Sequence, residues 1–258
     1  MPKKVSSAED DIIKNTLKIV PNARETLELA IKRLKESGFN MKSQDIWSLA
    51  EMLLIVTGEI FDSKIEEARR CGEAQLQKLG LGTRKLRKAL DNLARQHGGE
   101  TVEEILSYIL QVYGIRFERK VKLGTKDFPA EADFVIPGKE FFEIDKRCVI
   151  LISVKRKVRE RWKLTVGDAY ILRAIHGYPD NIWFVTLAKR DEVDLPVKAV
   201  RVFTRLGISV YVPDPVFEHY SRYDSSKERN KVRKFSWLID DTIQTLKKCQ
   251  EVTLYSYF

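Results

Sequence analysis

Between Cys148 and Arg156 the chain reads CVILISVKR, and no other stretch narrows its possible folds as much. In a strand, alternation puts Val149, Leu151, Ser153 and Lys155 on one face and Ile150, Ile152 and Val154 on the other. Both faces are apolar until the end of the run. Such a strand must be covered on both sides, which makes it a central strand of a sheet. Lys155 arrives at its edge, where an ammonium buried alone would be costly, so a carboxylate or a phosphate has to stand nearby.

Asp133 opens the preceding strand-like run, ADFVIPG, 22 residues before Lys155. A short hairpin turn at Pro137-Gly138-Lys139 would let the two runs pair and bring Asp133 beside Lys155. Asp133 and a further carboxylate can hold Mg²⁺, a cation that prefers oxygen ligands and keeps waters and substrate phosphates around it. Lys155 could then orient or deprotonate an attacking water, while the metal offsets charge on phosphorus and on the departing oxygen. A buried Asp–Lys ion pair without chemistry fits these two residues equally well. Just past the strand comes Arg159-Glu160-Arg161, at the start of a helix. Arginine can pair in two-pronged fashion with guanine O6 and N7, and glutamate accepts from cytosine N4. A carboxylate aimed at phosphate would be repelled, so Glu160 suits a base edge better than a backbone. The bland reading is an exposed, salt-bridged helix start.

The rest of the chain supplies the frame. Residues 1 to about 97 read as helical. Ser7-Ala8-Glu9-Asp10 is a cap pattern, Pro21 interrupts, and Gly38 ends a second apolar stripe. Ser43 caps a third segment through Leu54, and a charged helix follows around Ile65 to Leu79. Another helix starts at Thr83 and stops at Gly98-Gly99. After Gly99, GETVEEILSYILQVYG is a helix with Val102, Ile105, Leu106 and Ile109 inward. Strand-like runs follow: IRFERKVKL, ADFVIPG, EFFEI, CVILISVKR, NIWFVTLA and ISVYVPD. VKAVRVFTRLG reads as a crossover helix stopping at Gly207, and the tail as a basic segment leading into an amphipathic helix. The expected fold class is α/β, a mixed β-sheet flanked by helices with an N-terminal helical region. The division falls at residues 1–97, for dimer or DNA contacts, and 98–258, for catalysis.

The 258 residues carry a net charge of +9 and 43% hydrophobic residues, which favours a folded protein with a polyanionic partner, nucleic acid before membrane. There is no apolar run of about 18 residues and no secretory leader at Met1, so a soluble, cytoplasmic protein is expected. Cys71, Cys148 and Cys249 are widely spaced and read as reduced thiols without a zinc site. His97, His176 and His219 share no spacing with acids or cysteines, which argues against a His-based or zinc nuclease. Arg84, Lys85, Arg87 and Lys88, and in the tail Lys227, Arg229, Lys231, Arg233 and Lys234, suit either phosphates or a solvated face. Arg156 and Lys157 are further candidates for the DNA backbone.

Taken together, Asp133, Ser153-x-Lys155, the Arg-Glu-Arg-Trp run and the acid at Asp168 resemble the CCGG family of type II restriction endonucleases, of the PD-(D/E)xK fold. The resemblance spans roughly residues 99 to 215. In that family a serine replaces the usual acid before the lysine, and an acid on the following helix takes over metal binding. The resemblance implies that Asp133, Lys155 and Asp168 are catalytic, with Asp133 and Asp168 on Mg²⁺, and that Arg159, Glu160 and Arg161 read C·G pairs in CC:GG half-sites. The family also places an acid on the preceding helix, for which Glu103 is preferred over Glu100 and Glu104. Three features differ from its pattern, one being that the downstream acid follows Gly167, a weak helix position. Its Pro-Asp pair is loosened to Pro129-Ala-Glu-Ala-Asp133, which leaves Glu131 as a second candidate ligand, and Asp168 stands where glutamate is usual. Implied too are double-stranded DNA as substrate, 5′-phosphate ends, a homodimer or tetramer, and a companion methyltransferase. Rivals are a repair or junction-resolving nuclease of the same fold, a non-catalytic DNA binder and, least well supported, an RNA-binding module.

Overall fold

A computed structural model describes residues 2–41, 43–141, 145–158, 162–177 and 181–255, with side chains from 8 to 248 within those ranges. The chain divides into two compact units, Met1–Gln44 with Glu51–Ile105, and Asp45–Ala50 with Leu106–Phe258.

Four helices dominate the first part of the chain: α1 (Pro2–Leu17), α2 (Ala23–Glu36), α3 (Ile46–Lys78) and α4 (Arg84–Val112). Fewer breaks occur than the sequence suggests. The Ser7–Asp10 cap pattern lies inside α1. The helix after Pro21 is started by Asn22, whose side chain accepts from Glu25 N while Glu25 accepts from Asn22 N, a reciprocal capping box. Asp45 rather than Ser43 caps α3, accepting from Ser48 N at 3.0 Å and Ser48 Oγ at 2.6 Å. The expected stop at Gly98-Gly99 does not occur, and α4 runs straight through it. Each glycine costs a helix about 1 kcal/mol, but the flanking residues are held by burial. The His97 ring stacks on Phe61 at 3.8 Å and lies 3.0 Å from Thr26 Oγ1, while Thr101 Oγ1 donates to His97 O. Leu86 and Leu90 upstream, and Val102 and Ile105 downstream, are fully buried. His97 is therefore a core histidine.

The second unit is built on a six-stranded sheet in the order β1-β2-β3-β4-β5-β6. The strands are β1 (Glu118–Gly124), β2 (Pro129–Ile136), β3 (Ile150–Lys155), β4 (Ile182–Thr186), β5 (Ser209–Val212) and β6 (Val232–Lys234). The first three pair antiparallel and the last four parallel, which makes the sheet mixed, as expected. Helix α5 (Trp162–Ala174) connects β3 to β4, and α6 (Val197–Arg205) connects β4 to β5. α6 ends at Gly207, whose φ of +73° suits glycine. A short helix α7 (Phe217–Ser221) precedes β6, and α8 (Leu238–Tyr255) closes the chain. One sheet face, with Leu151, Phe184, Val210 and Val212, buries Trp162, Ala169 and Leu172 of α5 and Ala199, Val200 and Phe203 of α6. Ile150, Ile152 and Val154, on the other face, are also buried, so β3 is the doubly covered strand its sequence requires.

Two expectations need correction. β2 and β3 pair, but a longer connection replaces the short hairpin. It runs from Pro137 to Val149 and includes a 3-10 turn at Lys146–Cys148 capped by Asp145. The expected EFFEI strand begins as turn and helix at Glu140 and Phe141, and its last three residues lie outside the described ones. The basic tail contains a strand, β6, that its charge obscured. Asp224 pins it, accepting from Ser226 N, Ser226 Oγ, Lys231 N and Val232 N. Burial opposes the charge of Asp224, yet these bonds hold its carboxyl below the usual range.

Candidate active site

β3 ends at Lys155, and β2 runs antiparallel beside it, with Phe134 opposite Ile152 and Val135 opposite Leu151. That register brings Asp133 to the Ser153–Lys155 end of β3. The carboxylate is held by one oxygen. Asp133 Oδ2 accepts from Val154 N at 2.7 Å, from Lys155 Nζ at 2.7 Å and, more weakly, from Ser153 Oγ at 3.3 Å. Oδ1 takes no hydrogen bond among the described residues, which leaves it open to a further ligand. Ser153 Oγ also lies 3.4 Å from Thr165 Oγ1 of α5.

α5 turns Thr165, Asp168, Ala169 and Leu172 toward this corner, the spacing of one helix face. They share a small cavity with Glu131, Ala132 and Ser153. Burial pushes the Asp168 carboxyl up, the negative charges of Glu131 and Asp133 push the same way, and Lys155 opposes them. Three carboxylates and one ammonium therefore feel one another here. Among the described residues, no three His, Cys, Asp or Glu side chains gather closely enough to hold a metal alone. A hard cation such as Mg²⁺ takes one or two carboxylates and completes its shell with water and phosphate. Asp133 Oδ1 and Asp168 fit that demand, with Glu131 nearby. The donor set is all oxygen, which does not suit zinc.

Beyond β3 the chain is fastened by acids that no sequence pattern singled out. Arg156 forms an ion pair with Glu192 at 2.8 Å, and Val158 N donates to Asp194 Oδ1 at 2.6 Å. Both acids come from the β4–α6 connection. Val158 is fully buried and Trp162 nearly so, and they bracket Arg159, Glu160 and Arg161, which lie outside the described residues. Lys157 is exposed, whereas Arg156 is committed to Glu192. Glu103 is half-buried on α4, in the helical unit. In the same unit Lys85 pairs with Glu9 and Arg87 with Glu73. Arg233 pairs with Asp241, while Lys227 and Arg229 are exposed. Asp133, Ser153, Lys155 and Asp168 are thus brought together. Thr165 and the Val154 amide join them, and no sequence pattern flagged either.

No family model and no curated protein matches the chain. Solved structures do. The restriction endonuclease PspGI in complex with substrate DNA superimposes with a TM-score of 0.75 and 29% identity, covering 89% of this chain and 94% of that one. Metal-depleted Ecl18kI with uncleaved, modified DNA matches with a TM-score of 0.67 over 93% of this chain and 84% of that one. A second metal-depleted Ecl18kI structure, with uncleaved DNA, gives 0.66. Both are 15% identical and speak for the fold alone. Among the described residues no helix is long and apolar enough to cross a membrane. The mixed sheet, the carboxylate–lysine corner at its edge and these likenesses agree: the chain belongs to the CCGG family of type II restriction endonucleases, and it is a site-specific nuclease.

Proposed function

We propose that the chain hydrolyses double-stranded DNA in the presence of Mg²⁺ at a palindrome containing CC:GG half-sites, leaving 5′-phosphate and 3′-hydroxyl ends. The observation that carries this reading is the state of Asp133, anchored through Oδ2 to Val154 N and Lys155 Nζ, with its charge felt by Asp168. Asp133 and Asp168 hold the cation. When bound, Mg²⁺ supplies stabilisation of charge on the phosphoryl oxygens and the leaving oxygen. Lys155, as the ammonium paired with Asp133, orients the attacking water, whose proton passes to solvent as its oxygen attacks phosphorus. Glu131 adds negative potential that disfavours ionised Asp168 until a cation arrives. Arg159 and Arg161 donate to guanine and Glu160 accepts from cytosine, and the chain just before them is fastened by the Arg156–Glu192 and Val158–Asp194 bonds. Cutting both strands of a palindrome takes two active sites, which a two-fold homodimer provides. PspGI and Ecl18kI were solved with DNA, which supports DNA as the substrate here.

Digestion of a long unmethylated DNA with and without Mg²⁺, with sequencing of the ends, tests the proposal directly. Discrete Mg²⁺-dependent fragments sharing a CC…GG site, lost in Lys155→Ala, are expected. Cuts that follow DNA shape would transfer the chain to junction or repair chemistry. DNA binding without cleavage would overturn the catalytic assignment.

A further inference from the structure

The alternation of β2 breaks at one step. Ala130 and Ala132 pack into the core with α5 and α6, and so does Val135, three residues past Ala132. A regular strand sends every second residue to the same face. Ala132 and Val135 can share that core only if the strand changes phase between them, next to Asp133. β1 changes phase with it. Val121 and Leu123 belong to the same core. Arg119 and Phe117 instead meet the Phe134 ring, at 5.8 and 5.6 Å, and Phe134 lies outside that core.

The pairing register is the same on both sides of the break. Arg119 faces Phe134 before it and Val121 faces Ala132 after it, so no residue has been inserted. The turn is taken up at Lys120, the β1 residue that falls across from Asp133, and its φ is +51°. A side chain with a Cβ rarely holds that conformation, and a strained residue of this kind persists only where its surroundings enforce it.

The effect reaches β3. Leu151 N donates to Asn181 O on the β4 side, so the amides of Ile152 and Val154 point toward β2. After the Ile152–Phe134 pair, the next carbonyl in step would be that of Ala132. Val154 N instead donates to Asp133 Oδ2 at 2.7 Å, so a side chain has taken the place of the ladder. We infer that Lys120 is a positioning residue: its left-handed backbone, on the neighbouring strand, sets the phase of β2 and aims the Asp133 carboxylate at Val154 and Lys155. This rests on the reading of Asp133 as the metal-holding acid.

Two substitutions separate backbone from charge. Both Lys120→Gly and Lys120→Val remove the ammonium, but glycine accepts a positive φ and a β-branched valine opposes it. One readout is single-turnover cleavage with Mg²⁺. The other is the Val154 amide proton shift in ¹⁵N-valine-labelled chain without metal or DNA, which reports its bond to the carboxylate. K120V is expected to cleave about a hundredfold more slowly, the penalty of a displaced reacting group, and to lose the downfield Val154 signal. K120G keeps both. If K120V does not fold, Lys120→Ala carries the same bias with less strain. Equal rates in K120G and K120V with Val154 unmoved would overturn the inference. So would an equal loss in both, which would assign the effect to the lysine charge. A wild-type chain that binds DNA without cutting defeats the functional reading, and the amide signal alone then decides the role of Lys120.

Discussion

Two aspartates in the sheet unit are each met by a cation and a hydroxyl, and they are wired differently. Asp241 on α8 accepts from Arg233 Nε and Tyr211 OH through Oδ2, and from the other arm of Arg233 through Oδ1. Both of its oxygens are spent. Asp133 puts Val154 N, Lys155 Nζ and Ser153 Oγ on Oδ2 alone. Burial does not separate them. The side chains of Lys155 and Asp133 are 29% and 17% exposed, those of Arg233 and Asp241 30% and 15%. The difference is the choice of cation and the geometry it imposes. A planar guanidinium closes a carboxylate with two parallel bonds, whereas an ammonium is a point charge that leaves an oxygen over. The first arrangement locks a strand to a helix, and the second leaves Oδ1 without a hydrogen bond among the described residues.

The contrast is open to attack at several points. Asp133→Asn and Lys155→Ala should each lower cleavage by about a thousandfold or more, with the thermal midpoint nearly unchanged, since the asparagine oxygen can still accept from Val154 N and the alanine variant leaves Asp133 that bond. Large unfolding in either would make the corner structural, like its counterpart. Asp241→Ala should do the reverse. It strands Arg233 and the buried Tyr211 hydroxyl, and a loss of about 2 kcal/mol in urea unfolding is expected, with cleavage per folded molecule retained.

Asp168 lies between the two cases. Burial, reinforced by Glu131 and Asp133, raises its folded carboxyl above the ordinary 3.8. A raised carboxyl favours the protonated folded state, so that stabilisation is complete below the unfolded value and disappears as pH rises through the folded one. Asp168→Asn mimics the protonated form. It should abolish cleavage yet stabilise the fold at neutral pH and leave it unchanged near pH 3. For the same reason, the acid limb of wild-type cleavage should lie above 3.8 and move down as Mg²⁺ is raised. A limb insensitive to Mg²⁺ would remove Asp168 from the metal site. The smallest effect is expected at Gly167, where a Cβ would meet nothing within 4 Å. Gly167→Ala should stabilise by about 0.5–1 kcal/mol. Slower cleavage in that variant would mean that the turn carrying Asp168 has to move.

The Asp133–Lys155 corner was legible as a cluster because its residues are local to one pattern. CVILISVKR announces a doubly buried strand with a lysine at its end, and the preceding strand carries the acid. The Asp241–Arg233–Tyr211 lock was not legible, because it joins three elements whose residues share no spacing. β6 was hidden for a related reason: its three residues are held by Asp224 from an earlier turn, and on charge alone they read as a solvated tail. Gly98-Gly99 misled because helix propensity amounts to about 1 kcal/mol per glycine, less than the burial on either side. The kink at Lys120 left no mark either. A lysine in a strand-like run is ordinary, and nothing in the residues around it announces a positive φ.

That kink also bears on how copies of the chain can meet. β1 is an outer strand of the sheet, and a straight, uncharged edge invites a strand from another molecule to add on. Here the edge carries exposed Lys120 and Lys122, and it bends where the positive φ interrupts its row of amides. The opposite edge, β6, is only three residues long. Neither border suits growth of the sheet, and the bend that aims an acid also guards the protein against runaway aggregation.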